Sequence, residues 1–428
     1  MTYSDAIQFL YNLRWFGAKF GLSTTFKLAA LAGNPQNRLR FIHVAGTNGK
    51  GSTCAMLESI YRAAGLKVGL FTSPHLVAFT ERIQTNRRLI PDAEVARWVT
   101  ELQPLLTHFP AEEHPTYFEV VTVMALRSFA AHQCDLVIWE TGLGGRLDAT
   151  NIVTPIASII TNIQFDHQQY LGETLPRIAH EKAGIIKPAI PVITGTDAPE
   201  ALEVIDQSAR RQNSPLTVVA RGEAHAPPLD NIRLPLLGEH QKMNAAVALA
   251  TVRALEPIIP VSPDAIRTGL FRVHWPGRLQ RVTRPSGQQI LLDGAHNVGG
   301  AEMLAAALKE HFPKAKPALL LGILRDKDWP RMCEILAPLA GRILLVPVHS
   351  DRTAEPHGLA EACHAANPHA PVTEHSSLST ALADAEQDPF VTIAGSLYLV
   401  GEAMDLLHLS PAKSILERSL NEWTPAAP

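Results

Sequence analysis

The stretch HVAGTNGKGS, residues 43–52, joins an apolar run to a predicted helix over residues 52–64. Its glycines let backbone N–H groups approach an anion closely, and Lys50 adds a positive charge at the helix N-terminus. The spacing differs from that of the common nucleotide-binding loop, because Gly46 lies four residues before Lys50 and Gly51 precedes Ser52. The order of strand, glycines, lysine, hydroxyl and helix predicts a phosphate-binding loop, and the alternative is an ordinary glycine-rich turn.

Length and composition limit the class of protein. The chain has 428 residues, which is the length of roughly two or three domains. Its 38 Lys and Arg nearly balance 41 Asp and Glu, so neither nucleic acid nor a membrane surface is predicted as its main partner. The four cysteines form no C-x-x-C pair, which is typical of a reduced cytoplasmic protein. The N-terminus lacks the pattern of a secretory signal, and no apolar span is long enough to cross a membrane.

Apolar runs alternate with helical patterns along most of the chain, which predicts an α/β fold with parallel sheets. Pro276 and Gly277 interrupt the series, so we predict a P-loop ATPase domain over residues 1–277 and a smaller, Rossmann-like α/β domain over residues 278–428. The Pro-rich segment 221–237 is predicted to be a small β excursion. The predicted strands are 39–45, 67–71, 136–140, 157–161, 191–194, 289–293, 318–322, 343–347 and 390–394; the predicted helices are 92–106, 118–132, 175–183, 244–254, 299–311 and 397–407.

Polar residues follow several predicted strands, at the sheet edge where open α/β proteins bind ligands. Ser73, Glu140 and His167 could share a divalent cation that bridges ATP phosphates, because Mg²⁺ takes few protein ligands and keeps several waters. Each also has an ordinary interpretation, since Ser73 can begin a turn, Glu140 can be ion-paired and His167 can be a loop histidine. Lys182, taken alone, can be a solvated helix residue. The prediction depends on their combination with the phosphate loop.

Further motifs follow the loop in a fixed order, and together they resemble one enzyme family. They are TSPHL (72–76), YFE (117–119), ETGLGGRLDATN (140–151), FDH (165–167), EKAGI (181–185), GEHQKMNA (238–245) and DGAHN (293–297). This set resembles the folylpolyglutamate synthases and the bifunctional dihydrofolate/folylpolyglutamate synthases, which belong to the Mur-ligase-like superfamily of ATP-dependent amide ligases. The motifs extend from about residue 39 to Gly401, so the resemblance covers nearly the whole chain.

The resemblance implies a role for particular residues. Catalytic roles are implied for Lys50, Lys182 and His296, and ATP contacts for Asn48, Gly49, Lys50, Gly51, Ser52, Asn244, Arg278 and Asp293. Ser73, Glu140 and His167 match magnesium positions. Lys182 matches a lysine that is carbamylated in many members, where the carbamate helps to hold a second Mg²⁺. The pterin-bearing substrate is expected near Thr116, Tyr117, Phe118, Glu119, Leu147, Asp148 and Ala149, with a further contact around Gly21 and Leu22.

The implied reaction is carboxylate activation followed by amide formation. A carboxylate oxygen of the folate or dihydropteroate attacks the ATP γ-phosphorus, and the amine of L-glutamate then displaces phosphate from the acyl phosphate. Lys50, Arg278 and the metal ions are expected to act through electrostatics and positioning. Arg278 and Asp293 lie on or beyond the linker, so the two domains would close to complete the ATP site. The resemblance favours a monomer.

Other functions stay open at the level of sequence. A Mur-type peptidoglycan-precursor ligase would share the ATPase domain, although only about forty residues precede the phosphate loop here. A P-loop nucleotide switch would bind nucleotide without ligating anything. Within the folate branch, GLGGRLDATN with Asp148 indicates the bifunctional form, but single-activity members share much of this motif.

Overall fold

The computed structural model describes residues 1–17, 21–410 and 415–422, and its strands form two sheets. The strands are β1 (Phe41–Ala45), β2 (Val68–Phe71), β3 (Ile83–Thr85), β4 (Arg88–Leu89), β5 (Leu136–Glu140), β6 (Ala157–Ile160), β7 (Val192–Thr194), β8 (Leu216–Val218), β9 (Gln280–Thr283), β10 (Gln289–Leu292), β11 (Ala318–Leu321), β12 (Arg342–Leu345), β13 (Val372–Glu374) and β14 (Phe390–Ala394).

Helices cover both faces of each sheet. They are α1 (Tyr3–Asn12), α2 (Ser23–Leu31), α3 (Lys50–Ala63), α4 (Asp92–Leu106), α5 (Tyr117–Ala131), α6 (Gln168–Leu171), α7 (Leu175–Ala183), α8 (Pro199–Arg211), α9 (Glu239–Ala254), α10 (Pro263–Phe271), α11 (Val298–His311), α12 (Trp329–Leu336), α13 (Pro356–Ala366), α14 (Leu378–Asp384), α15 (Leu397–Leu406) and α16 (Ile415–Ser419). None of the helices in the described ranges is long and apolar enough to span a membrane.

The first sheet has eight strands in the order β4-β3-β2-β5-β1-β6-β7-β8. The strands from β2 to β8 run parallel, and the β3–β4 hairpin is antiparallel at one edge. Successive residues of a strand point to opposite faces, so the continuously buried, mostly apolar central strands supply two cores. Phe41 and Trp139 pack in the core that contains α1, α4 and α5, whereas Ile42 and Ile138 pack in the core that contains α3 and α9.

The second sheet has six strands in the order β13-β12-β11-β14-β10-β9, and only β9 is antiparallel to its neighbour. Leu291 and Leu319 face the core that contains α11, α12 and α13, and Leu292 and Leu320 face the core that contains α14 and α15. The two parallel sheets confirm the predicted α/β class. The boundary between residues 277 and 278 stays a prediction; it lies between α10 and β9.

The predicted β excursion over residues 221–237 is wrong. This segment contains two short 3₁₀ helices, Arg221–His225 and Leu229–Asn231, and no strand. Its apolar residues Ala224, Leu229 and Leu236 pack into the core beside α9, and its prolines lack the N–H that a sheet ladder needs. Helix α9 begins at Glu239, earlier than predicted, and neither the β3–β4 hairpin nor the edge strands β8 and β9 were predicted from the sequence.

The loop over residues 73–82 connects the first sheet to the core of the second, and we call it the inserted loop. It follows β2 and returns to β3, yet Val77 is fully buried in a cluster with Ile290 and Val400. The Glu81 carboxylate holds the loop in shape by accepting the backbone N–H groups of residues 76, 77 and 78 at 2.7, 2.9 and 2.8 Å. The two sheets are therefore joined by packing as well as by the chain between them.

Candidate functional site

The phosphate loop predicted from the sequence lies between β1 and α3, and two of its glycines are required by geometry. Gly46 has φ 150° and Gly49 has φ 82°, which is the region that favours glycine. A Cβ atom at Gly46 would collide with the Thr161 hydroxyl, and one at Gly49 would collide with the Asn244 amide. Helix α3 begins at Lys50, so its free N–H groups and its positive dipole end face the loop.

Two lysines donate to the same carbonyl group of this loop. Lys50 Nζ lies 3.1 Å from the Gly46 oxygen and 3.2 Å from the Thr47 oxygen, and Lys182 Nζ lies 2.7 Å from the Gly46 oxygen. Burial and, to a lesser extent, the charge of Lys50 lower the pKa of Lys182 to about 7. A substantial fraction of the Lys182 side chains is therefore an uncharged, nucleophilic amine near neutral pH.

The three residues predicted to hold a metal line the cleft around the phosphate loop. Glu140 Oε2 accepts the Ser73 N–H at 3.0 Å, and burial raises the pKa of Glu140 to about 7 against the opposing charge of Lys50. Desolvation lowers the pKa of His167 to about 3, so its imidazole is uncharged and can use a lone pair. A hydroxyl, a buried carboxylate and a neutral imidazole suit a divalent cation. Within the described ranges, no three His, Cys, Asp or Glu side chains form a metal-binding cluster.

Asp166 connects the two sheets at this cleft, although no role was predicted for it from the sequence. Its carboxylate accepts hydrogen bonds from the Lys327 ammonium at 2.6 Å and from the Asn297 side-chain amide at 3.0 Å, and it lies 3.6 Å from His296 Nε2. Burial would raise the pKa of Asp166, but the adjacent His296 and the Lys327 ammonium hold it well below its usual range. The FDH motif contains Asp166, but the residues that bind its carboxylate, Asn297 and Lys327, lie in loops beside the second sheet.

The remaining residues predicted for ATP line the same cleft, including those beyond the linker. Asp293 accepts the N–H groups of Leu279 and Ala295 at 2.8 and 2.9 Å, which fixes the end of β10. Arg278 is half-buried beside Asp293, and desolvation lowers its pKa. Asn48 and Asn297 exchange amide hydrogen bonds of 3.1 Å. The phosphate loop therefore directly contacts the second sheet with its helices, which we call the second sheet unit; the first sheet with its helices is the first sheet unit. Both sheet units therefore contribute to one cleft.

A second open cleft, of about 1410 Å³, adjoins the first and is more apolar. All the residues predicted to contact a pterin line it, as does Gly21, whereas Leu22 packs against the core instead. Ser73, His167 and His296 line both clefts. An anion held by the phosphate loop and a molecule in the second cleft would therefore meet at these three residues.

Two acidic residues predicted at the second cleft are already engaged by local structure. Glu119 accepts the Thr116 N–H at 2.8 Å in a capping box at the start of α5, and it accepts the Thr25 hydroxyl at 2.9 Å. Asp148 accepts the N–H groups of Leu143 and Thr150 at 2.8 and 3.0 Å, while burial raises its pKa. Both carboxylates therefore fix the backbone that forms the wall of the cleft.

Comparison with known proteins gives a consistent result. The Mur ligase middle domain matches residues 44–252, and the Mur ligase, glutamate ligase domain matches residues 277–397. The chain is 36% identical over 423 residues to the dihydrofolate synthase/folylpolyglutamate synthase of Bacillus subtilis, covering 94% of this chain and 98% of the relative. It is 33% identical to the folylpolyglutamate synthase of Lacticaseibacillus casei, covering 95% and 99%.

Solved structures agree with the sequence relatives. The folylpolyglutamate synthase of Mycobacterium tuberculosis, complexed with ADP and AMPPCP, superposes with a TM-score of 0.86 at 30% identity, covering 96% of this chain and all of that one (100%). Escherichia coli FolC in complex with DHPP and ADP superposes with a TM-score of 0.82 at 32% identity, covering 96% and 98%. The resemblance predicted from the motifs is confirmed: the chain belongs to the folylpolyglutamate synthase/dihydrofolate synthase family of Mur ligases.

Proposed function

We propose that this protein is an ATP-dependent ligase that adds L-glutamate to folates through an acyl-phosphate intermediate. The observation that carries the proposal is the pair of adjoining clefts. One contains the phosphate loop, the other is more apolar, and both are lined by Ser73, His167 and His296. This arrangement would bring a carboxylate from one cleft to a phosphate in the other, which is what acyl-phosphate formation needs.

The phosphate loop would hold the ATP phosphates. Backbone N–H groups of Gly49, Gly51 and Ser52 at the start of α3, with the Lys50 ammonium, would oppose the charge that develops during phosphoryl transfer. Asn48 would line the same site, while its own backbone N–H is donated to the Asn162 side chain at 2.8 Å. Arg278, Asp293 and Asn244 would form the opposite wall of the ATP site. Support comes from relatives of similar fold that are complexed with ADP and AMPPCP.

Ser73, Glu140 and His167 would hold Mg²⁺ beside these phosphates. Bound there, the ion would neutralise phosphate charge and orient the γ-phosphate. The raised pKa of Glu140 supports the assignment, because a buried carboxylate of this kind gains most from an added cation. Lys182, with its pKa lowered to about 7, has the uncharged amine that carbamylation by carbon dioxide requires, and its carbamate would help to hold a second Mg²⁺.

Amide formation would then follow in the shared region of the clefts. The amine of glutamate attacks the acyl carbon, the C–O bond to phosphate breaks, and the amine loses a proton. His296 lies beside this region, with Nδ1 2.7 Å from the Gly294 oxygen and Nε2 turned toward Asp166. The Asp166–Lys327 and Asn48–Asn297 contacts close the two sheet units on each other, which would keep water from a hydrolysable intermediate.

Dihydropteroate is proposed as a second acceptor, because relatives that match nearly the whole chain carry both activities in their names. The test is glutamate-dependent release of phosphate from Mg-ATP, run in parallel with tetrahydrofolate and with dihydropteroate. We expect release with both acceptors. Release with tetrahydrofolate alone would leave a folylpolyglutamate synthase, and no release with either would contradict the ligase assignment.

We further propose that the protein is a monomer in the cytoplasm. Residues of one chain line both clefts, and Cys54, Cys134, Cys333 and Cys363 are free and buried. Light scattering at working concentration measures the mass directly, and a value of twice 46.6 kDa would contradict the monomer.

A further inference from the structure

The segment over residues 417–422, which we call the C-terminal strap, contacts three separate parts of the fold. Tyr3 of α1 and the backbone N–H of Phe79 in the inserted loop both donate to the Glu417 carboxylate at 2.8 Å. The hydroxyl of Tyr398 in α15 donates to the Asn421 carbonyl at 2.6 Å. The strap therefore joins the N-terminal helix, the inserted loop and the second sheet unit, and it reaches the wall of the more apolar cleft.

Asn421 is the central residue of this arrangement and is buried. Its side-chain oxygen accepts a hydrogen bond of 2.6 Å from Arg82, and its side-chain nitrogen donates to the His75 carbonyl at 2.9 Å. Arg82 also donates from Nε to His75 Nδ1 at 2.8 Å. Because Nδ1 accepts this bond, the ring proton lies on Nε2, which donates to the Glu417 carbonyl at 2.7 Å. The strap and the inserted loop thus hold the Arg82 guanidinium from two sides.

The surroundings of Arg82 differ from those of two other cations of this cleft. Lys327 is paired with Asp166 at 2.6 Å, and Arg352 lies 3.2 Å from Asp326. Arg82 lines the same cleft and is 3% exposed, yet its hydrogen-bond partners, His75 and Asn421, carry no charge. Across the described part of the chain, no carboxylate forms an ion pair with it; its guanidinium lies 5.6 Å from the centre of the Tyr117 ring, and its charge reaches the more distant Glu140 carboxylate. A buried guanidinium without a counter-ion is costly unless an anion binds to it.

We propose that Arg82 binds a carboxylate of the glutamyl part of the substrates, and that Asn421 is the residue that positions it. The inference rests on the proposed function and specifies which residue recognises this anion. A folate carries a glutamyl carboxylate in addition to the one that is activated, whereas dihydropteroate carries only the carboxylate that reacts. The incoming glutamate is the other source of the same chemical group. Arginine suits either, because its planar fork matches a carboxylate.

The test uses three substitutions in the full chain and measures the KM of each substrate. Arg82→Met removes the charge, and Asn421→Leu removes the bond that positions it. Asn421→Asp keeps the side-chain size and the hydrogen bond from Arg82, gives up the hydrogen bond to the His75 carbonyl, and supplies Arg82 with a counter-ion. We expect each to raise one carboxylate-dependent KM by about tenfold or more, as for a lost charge-assisted hydrogen bond, with the KM of ATP unchanged. Asp405→Asn is the control, because it removes only the Arg418 ion pair of the strap, outside the cleft.

The substrates distinguish the two sources of the carboxylate. If Arg82 binds the folate, the KM of tetrahydrofolate rises and that of dihydropteroate, or its Ki if it is not turned over, does not. If Arg82 binds the incoming glutamate, the KM of glutamate rises with either acceptor. The proposal is overturned if Asn421→Asp behaves like the wild type, or if the KM of ATP rises equally. Asn421→Leu and Asn421→Asp both lose the hydrogen bond to the His75 carbonyl, but only Asn421→Asp adds a counter-ion, so comparing the two isolates the effect of the charge even if Arg82→Met does not fold. Phosphate release by the wild-type protein, measured first, separates a failure here from a failure of the proposed function.

Discussion

Replacing Asp166 by asparagine tests whether one buried ion pair joins the two sheet units at the phosphate cleft. The Asp166 and Lys327 side chains are only 7% and 6% exposed, and their charged atoms lie 2.6 Å apart. The substituted amide would keep the shape of the carboxylate but leave the Lys327 ammonium buried without a counter-charge. Removing one partner of a buried pair costs about 3–5 kcal/mol, so we expect Asp166→Asn to lower the free energy of unfolding by about 3 kcal/mol.

The measurement is urea unfolding of the wild type, Asp166→Asn, Lys327→Met and the double variant at one pH. Lys327→Met should cost less than Asp166→Asn, because Asp166 keeps its contacts with Asn297 and His296. The double variant should cost less than the two single losses added together, since the stranded charge is gone. A loss below about 1 kcal/mol in Asp166→Asn, or strict additivity in the cycle, would refute the argument that this pair joins the sheets.

Three further substitutions test the remaining assignments. Lys50→Ala should abolish phosphate release. It should change the free energy of unfolding by no more than about 1 kcal/mol, because Lys50 is half-buried and donates hydrogen bonds only to loop carbonyls. Normal turnover in this variant would contradict a role for Lys50 in phosphate binding. Asp148→Ala leaves the N–H groups of Leu143 and Thr150 without an acceptor, so it should lower the free energy of unfolding by about 2 kcal/mol. It should also raise the KM of the folate more than the KM of ATP, and an equal rise in both would contradict the prediction. Lys182→Met removes an amine whose folded-state pKa is depressed to about 7, so the wild type should lose roughly 3–5 kcal/mol relative to the variant as pH falls from 10.5 to 7. If the free energies of unfolding of the wild type and the variant changed in parallel at all pH values, the pKa of the Lys182 amine would not be depressed.

Much of the fold was predictable because its signals are local. The central strands are short, apolar runs between turn residues, and the glycines and lysine of the phosphate loop are adjacent in the sequence. The segment over residues 221–237 was predicted wrongly, because short apolar pieces between prolines can pack against a helix as well as pair in a sheet. The edge strands β8 and β9 are short and partly exposed, so they lack the continuous apolar run that identified the others.

The candidate site was predictable as a set of residues but not as a set of contacts. The motifs placed Ser73, Glu140 and His167 at strand ends, and the structure brings them to one cleft. The contacts that cross the two units depend on residues far apart in the chain, such as Asp166 with Lys327. No periodicity or spacing indicates such a pair. For the same reason Arg82 and the C-terminal strap were not predicted, since the residues that join them lie more than 300 positions apart.

Val77 has a consequence for attempts to recombine members of this family. Its side chain belongs to the first half of the chain by sequence but fills a space between β10 and α15 in the second half. A truncated protein ending before β9 would leave this apolar side chain in water, and the remaining half would carry a hole where it had been. A chimaera that replaces the second half of this chain should therefore replace residues 73–82 as well, since the space that Val77 fills is formed by residues of that half.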